Sequence, residues 1–213
     1  MTGRPLPGGF ASTVHRVGDT VRRTPPERAG FVHALLDHFE RQGWPGAPRY
    51  LGTDEHGREI LTYVDGHVPW AAGQPALLAS AEMLRAVGAL VRELHDLTAG
   101  SALAGDREVV CHNDLSPKNT VYRDGRPVAF LDWDLAAPGD RLADVAHACW
   151  QYPGLVERML QWQEDCWRGI EEGVAGGDPH FDRLRDARAA ESVRAQHQWT
   201  ASHREALDAA LQD

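Results

Sequence analysis

Residues 111–134 read CHNDLSPKNTVYRDGRPVAFLDWD. This stretch places His112, Asp114 and Asn119 in one loop and Asp132 at the end of the next strand, beyond a hairpin. The apolar runs Val109 to Cys111 and Val128 to Leu131 flank the polar residues and predict buried strands. Moving a phosphoryl group to an alcohol requires a carboxylate to orient and deprotonate the hydroxyl, and oxygen ligands to hold magnesium against the phosphates. Asp114 answers the first need. Asn119 and Asp132 answer the second from two sides. A lone His-x-Asp is ordinarily a hydrogen-bonded loop pair, and a lone Asp-x-Asp a solvated turn. Their joint order and spacing between predicted strands favour the chemical reading.

The loop resembles the H-x-D-x-x-x-x-N catalytic loop of protein kinases, with LDWD standing where their metal-binding D-F-G stands. The His-Asn-Asp opening, the Trp after the metal Asp and the acidic residue after that resemble the aminoglycoside phosphotransferase and choline kinase families more closely. AAPGDRLADVAHACW (136–150) adds the Pro and the Asp-Val-Ala helix start of those families, with Asp144 at the Asp. GGFASTVHRVGDTVRR (8–23), APRYLGTDEHGREILTYVDG (47–66) and LVRELHDLT (90–98) extend the resemblance over residues 7 to 152. It implies an α+β, bilobal protein-kinase-like fold, with a small antiparallel-sheet N-lobe (1–65) and a mostly helical C-lobe (66–213). It also implies that His112 and Asp144 brace the catalytic loop, and that Asp134 supports the metal or shapes the acceptor site.

With 213 residues and 42% apolar content, the chain is an ordinary globular sequence. No apolar stretch is long enough to span a bilayer, and MTGRPLPGGF lacks the apolar centre of a signal peptide, so the expected location is cytoplasmic. Cys111, Cys149 and Cys166 are too few and too irregularly spaced for a disulfide framework or a zinc site. A net charge of −9 argues against nucleic acid and anionic membrane as partners and favours a cationic acceptor.

Lys118 is the only lysine among 22 cations. Kinase-like folds place a lysine on the third strand of the small lobe to hold phosphates, paired with a Glu on the next helix. Here Gly18-Asp19 predicts a two-residue hairpin with Asp19 to Thr24 as the third strand. Arg22 or Arg23 must replace the lysine. Strand alternation sends the two to opposite faces, and a V-L-R pattern in relatives favours Arg22. Arginine retains the charge and offers a bidentate fork. The helix defined by Phe31, Leu35, Leu36 and Phe39 offers His33 at its cleft-facing position, with Glu27 or Glu40 as other sources of the acid. Gly8 and Gly9 precede a strand and suit a turn over the phosphates, or form a plain loop. Lys118 stands beside Asn119, where it reaches a phosphate or the acceptor, or is simply a solvated loop lysine.

Strands are predicted at 48–52 and 59–63, giving a five-stranded sheet with one helix. Thr62 and Val64 are then expected to offer backbone groups to the purine, of ATP or GTP alike. Residues 74–97 predict a long core helix, in which His95 is a core or capping residue. Helices are further predicted at 141–151, 155–172 and 181–211, with a break at 173–179. Glu157, Glu164, Asp165, Glu171 and Glu172, with Trp162 and Trp167, are candidates to line an acceptor site, although a solvated helix face is the plainer reading.

Together these features imply a magnesium-dependent transfer of the terminal phosphoryl group of ATP or GTP to a small-molecule alcohol, with aminoglycoside the acceptor that the resemblance suggests. The alternatives are a nucleotide-binding, pseudokinase-like module without turnover, motivated by the missing lysine, and a kinase of choline, homoserine or a sugar.

Overall fold

The computed structural model describes residues 3–6, 14–69, 80–152 and 155–203. Gly8, Gly9 and the first turns of the helix expected from residue 74 lie outside these. The chain divides into two compact units, residues 1–153 and 154–213.

The first unit opens with β1 (Arg4–Pro5), β2 (His15–Val17) and β3 (Thr20–Arg23), followed by α1 (Ala29–Arg41), β4 (Tyr50–Thr53) and β5 (Glu59–Thr62). The strands form one antiparallel sheet in the order β1-β2-β3-β5-β4, the five-stranded sheet expected. Register, set by the Gly18-Asp19 turn that joins β2 to β3, places Arg22 opposite Ile60 and Arg23 opposite Glu59. Helix α1 buries Val32, Leu35, Leu36 and Phe39, the i, i+3, i+4, i+7 stripe of an amphipathic helix. It ends where Gly43, at φ 69°, lets the Trp44 amide reach back to the Phe39 carbonyl (3.0 Å) and its own amide to Glu40 (2.9 Å).

Helix α2 (Ala81–Thr98) follows, then β6 (Val109–Cys111), β7 (Thr120–Arg123), β8 (Arg126–Phe130), β9 (Ala137–Gly139) and α3 (Arg141–Gln151). Ser80 caps α2 by accepting from the Met83 amide at 3.1 Å. The helix packs through Met83, Val87, Val91 and Leu94. At its other end the Thr98 hydroxyl accepts from the Val110 amide (3.0 Å), fixing β6 to the helix. The Asp124-Gly125 turn joins β7 and β8 into the hairpin that precedes Asp132. Phe39 of α1, Trp44, Trp133 and His112 form one aromatic cluster with ring centroids 4.5–6.4 Å apart. The cluster fixes the helix of the sheet region against the segments carrying the polar residues.

The second unit holds α4 (Leu155–Ala175), α5 (Asp182–Asp186) and α6 (Ala189–Ser202), with α4 and α6 packed on each other. The single helix expected over 181–211 is therefore broken. Arg188 takes a left-handed conformation (φ 52°), separating α5 from α6, and no Pro or Gly marks this break in the sequence. Among the described residues no helix is long and apolar enough to cross a membrane.

The connection after β5 passes Gly66 at φ 149°, where a Cβ would stand 2.5 Å from Val121 Cγ1 and 2.7 Å from the Tyr122 carbonyl oxygen. The flanking His67 exchanges both backbone hydrogen bonds with Tyr122 at 2.8 Å, so the chain cannot lift away. Gly66→Ala is expected to cost about 2 kcal/mol or more and to lower the melting temperature by roughly 4–8 °C, measured by thermal denaturation.

Candidate active site

The segment after β6 turns sharply, and the cause is Asp144 near the start of α3. Its buried carboxylate accepts from the His112 amide (2.8 Å), the Asn113 amide (2.8 Å) and His95 Nε2 (2.9 Å). Burial alone would raise its pKa, but these hydrogen bonds outweigh burial and hold the carboxyl below its ordinary range. Held this way, Asn113 adopts a left-handed conformation (φ 63°) and its side chain donates to the Leu135 carbonyl (3.0 Å). Asp114 then faces outward.

His112 is buried with both nitrogens engaged: Nε2 lies 2.9 Å from the Leu131 carbonyl, and Nδ1 accepts from the Asp114 amide at 3.2 Å. A carbonyl only accepts and an amide only donates, so the ring is neutral with its proton on Nε2. It links the loop of Asp114 to Leu131, just beyond β8 and next to Asp132. His95, Cys111 and Asp144 also lie within 4.8 Å of one another, as metal ligands can. Their atoms are committed elsewhere: the Cys111 thiol donates to the Asp140 carbonyl (3.3 Å), and burial pushes its pKa up to about 12. The trio is a hydrogen-bonded brace.

Asp114 Oδ2 accepts from Asn119 Nδ2 at 2.7 Å, and its backbone carbonyl takes the same amide group at 3.0 Å. With Nδ2 spent on Asp114, Oδ1 is the atom Asn119 has left for a cation. The Leu131 amide donates to the Asn119 carbonyl (2.8 Å), so Asn119 and Asp132 share one end of the β7–β8 hairpin. Asp132 is itself left-handed (φ 62°, ψ 62°), an uncommon conformation for a residue with a side chain. An amide oxygen and a carboxylate at one hairpin end are hard oxygen donors of the kind magnesium takes. His147 on α3, not singled out from sequence, brings Nε2 to 3.6 Å from Asp114 Oδ1.

The cation facing these carboxylates is Arg23 rather than Arg22, the arginine favoured from sequence. Arg22 turns to Thr20 Oγ1 (2.6 Å) and Asp54 (3.9 Å) on the other face of the sheet. Arg23 donates from Nη1 to Asp132 Oδ1 (3.1 Å), from Nη2 to Asp134 Oδ1 (2.5 Å) and from Nε to Glu59 Oε1. The acid beside it is neither Glu27 nor Glu40. Glu40 pairs with Arg49 on the surface at 3.1 Å. Glu59 was the residue missed, and strand register is the signal that could have found it, since β3 and β5 make it the cross-strand partner of Arg23. His33 does occupy the facing position of α1, with Nε2 2.7 Å from Glu59 Oε2.

The remaining expected residues are less engaged. The Thr62 amide is spent on the Arg49 carbonyl (2.9 Å) and so is not left to donate to a purine. Val64 lies half-buried beyond the end of β5, and Lys118 is exposed on the turn before Asn119. In the second unit, Glu164 pairs with Arg168 (2.6 Å) and Glu171 with Arg194, while both arginines stack on Trp167. Those acids belong to helix surfaces.

The sequence matches the phosphotransferase enzyme family over residues 2–109 and 98–173. It is 34% identical over 165 residues to a trifolitoxin immunity protein of Rhizobium leguminosarum bv. trifolii, a match spanning 68% of this chain and 60% of that relative's length. The fold is similar to that of a macrolide 2'-phosphotransferase from Brachybacterium faecium (TM-score 0.51, 18% identity, 90% of this chain and 91% of that one). It is equally similar to a thermostable mutant of an aminoglycoside phosphotransferase (TM-score 0.51, 16% identity, 100% and 94%). The α+β, protein-kinase-like architecture expected from sequence is the one these structures share.

Burial holds the pKa of His112 below its usual value, against the pull of the Asp144 charge. A histidine depressed in the folded state is protonated first in the unfolded chain, so its contribution is complete above about pH 6.5 and lost as pH falls below it. Asp144 acts in the same direction, but only once pH drops into the carboxylate range. The melting temperature is expected to be level from pH 8 to about 6.5 and to fall below that. A curve flat to pH 5.5 would contradict a neutral, doubly engaged His112.

Proposed function

The chain belongs to the phosphotransferase enzyme family, and from that premise we propose that it moves the terminal phosphoryl group of ATP or GTP to a hydroxyl of a small molecule. The observation that carries this reading is the joint placement of Asp114, Asn119 and Asp132: a base held by an amide, with oxygen donors at the adjoining hairpin end. Asp114 Oδ2 is committed to Asn119, so Oδ1 takes the alcohol's proton. The alcohol oxygen forms the new bond to phosphorus as the bond between phosphorus and the leaving diphosphate oxygen breaks. Asn119 and Asp132 would hold magnesium, which would neutralise charge on the phosphates. Arg23 supplies the fixed cation for the phosphates from β3, with Asp134 restraining its second amino group. A complete base and ligand set favours turnover over a pseudokinase-like role.

The acceptor is a small molecule, and two classes have support. Cationic aminoglycosides suit the net charge of −9. The relative named as a trifolitoxin immunity protein makes a hydroxyl on a toxin the second class. Either way the chemistry at Asp114 is the same.

Asp114→Asn is expected to lower kcat by about 10²–10⁴-fold with nucleotide affinity nearly unchanged, because the base acts on the acceptor. Arg23→Ala should raise the nucleotide KM well above that of Arg22→Ala. Equal effects of the two arginine variants would remove Arg23 from its role. Acceptor class is decided by following phosphate incorporation across aminoglycosides, macrolides, choline, amino alcohols and the toxin named by the relative. No incorporation into any alcohol, alongside intact nucleotide binding, would favour the module without turnover.

A further inference from the structure

The third-strand cation is held in an unusual way. Arg23 extends between three carboxylates and uses a different nitrogen for each: Nε for Glu59, Nη1 for Asp132, Nη2 for Asp134. Its side chain is only 11% exposed. Glu59 is fully buried, and both of its oxygens are used, Oε1 by Arg23 and Oε2 by His33. A buried carboxylate is stable only when paired and hydrogen-bonded, so Glu59 and Arg23 depend on each other. His33 is fixed in turn by stacking on Tyr50, with ring centroids 3.6 Å apart and planes within 11°. A carboxylate only accepts, so His33 Nε2 donates to Glu59.

Resting on the phosphotransferase reading, we infer that Glu59 and His33 are positioning residues that aim Arg23 at the nucleotide phosphates, with the acid supplied by strand β5 and helix α1 contributing only through His33. Glu59 fixes the Nε edge from directly across the sheet, so the guanidinium plane is set by the register of β3 and β5. The two amino groups are then presented as a fork toward the metal-loop carboxylates, where the phosphates arrive. His33 reports the position of α1 to that carboxylate and is its one hydrogen bond from the helix among the described residues. This arrangement is specific to arginine. A lysine ammonium is a single point of charge at the end of an unbranched stem, and it cannot meet Glu59 and both metal-loop carboxylates from three separate nitrogens.

The test is magnesium-dependent binding of ADP and of GDP to the full chain by calorimetry. Steady-state kinetics and melting temperatures are measured alongside for Arg23→Lys, Glu59→Gln, His33→Gln and the double variant Glu59→Gln/Arg23→Lys. Glu59→Gln and Arg23→Lys should each weaken the better nucleotide by about tenfold, and His33→Gln by about threefold, as expected for hydrogen bonds to charged groups. The KM for acceptor should stay near the wild-type value, a split that general loss of structure would not give. The double variant should be no weaker than the worse single one, because both act through the same contact. A folded Glu59→Gln or His33→Gln protein with wild-type nucleotide affinity, a fully active Arg23→Lys, or losses that multiply in the double variant would each overturn the inference. If Glu59→Gln does not fold, His33→Gln and Arg23→Lys decide by the same criteria, since His33 lies at the edge of the cluster. A wild-type chain that binds neither nucleotide removes the phosphotransferase reading itself and the positioning role with it.

Discussion

Most of the active-site geometry depends on one buried carboxylate, that of Asp144. Its hydrogen bonds to two successive backbone amides and to His95 replace the water it lost on burial. They also hold Asn113 in a conformation that side chains ordinarily avoid. From there the order propagates. The turned loop presents the Asp114 carboxylate to Asn119, the Asp114 amide fixes the His112 ring, and that ring holds the strand leading to Asp132. Removing Asp144 would release the loop that carries Asp114.

A second constraint acts from the sheet. Kinase-like folds ordinarily bring their phosphate-holding cation and its acid together from a strand and a helix, so the pair depends on how the helix is seated. Here Arg23 and Glu59 stand opposite each other in one sheet, and the helix contributes a histidine. Helix α1 is instead fixed by packing, with Phe39 5.1 Å from the ring of Trp133 in the metal loop. The polar contact and the aromatic cluster are therefore separate: one ties Arg23 to Glu59 and His33, the other joins α1 to the segment of Trp133.

Much of this was legible along the chain. The five strands and α1 follow from local patterns, namely two turns, one apolar stripe and alternation. The clustering of Asp114, Asn119 and Asp132 was legible because they lie within one loop and one hairpin, where spacing in sequence nearly fixes spacing in space. The break at Arg188 was not legible, since it rests on a left-handed residue with no Gly or Pro to announce it. Nor was His147, whose place near Asp114 depends on how α3 packs.

Arg22 and Arg23 mark the boundary between the two kinds of information. Alternation alone established that only one of them faces the carboxylates. It could not say which, because neighbouring arginines are chemically identical and the choice depends on which face of β3 the metal loop covers. Sequence by itself determined the fold class and which polar residues, Asp114, Asn119 and Asp132, would be gathered at one loop and one hairpin end, all set by short-range spacing. Tertiary structure decided that Arg23 is the arginine that meets Asp132 and Asp134 and that Glu59 pairs with it, because burying two opposite charges together requires a partner 36 residues away in sequence and directly across the sheet.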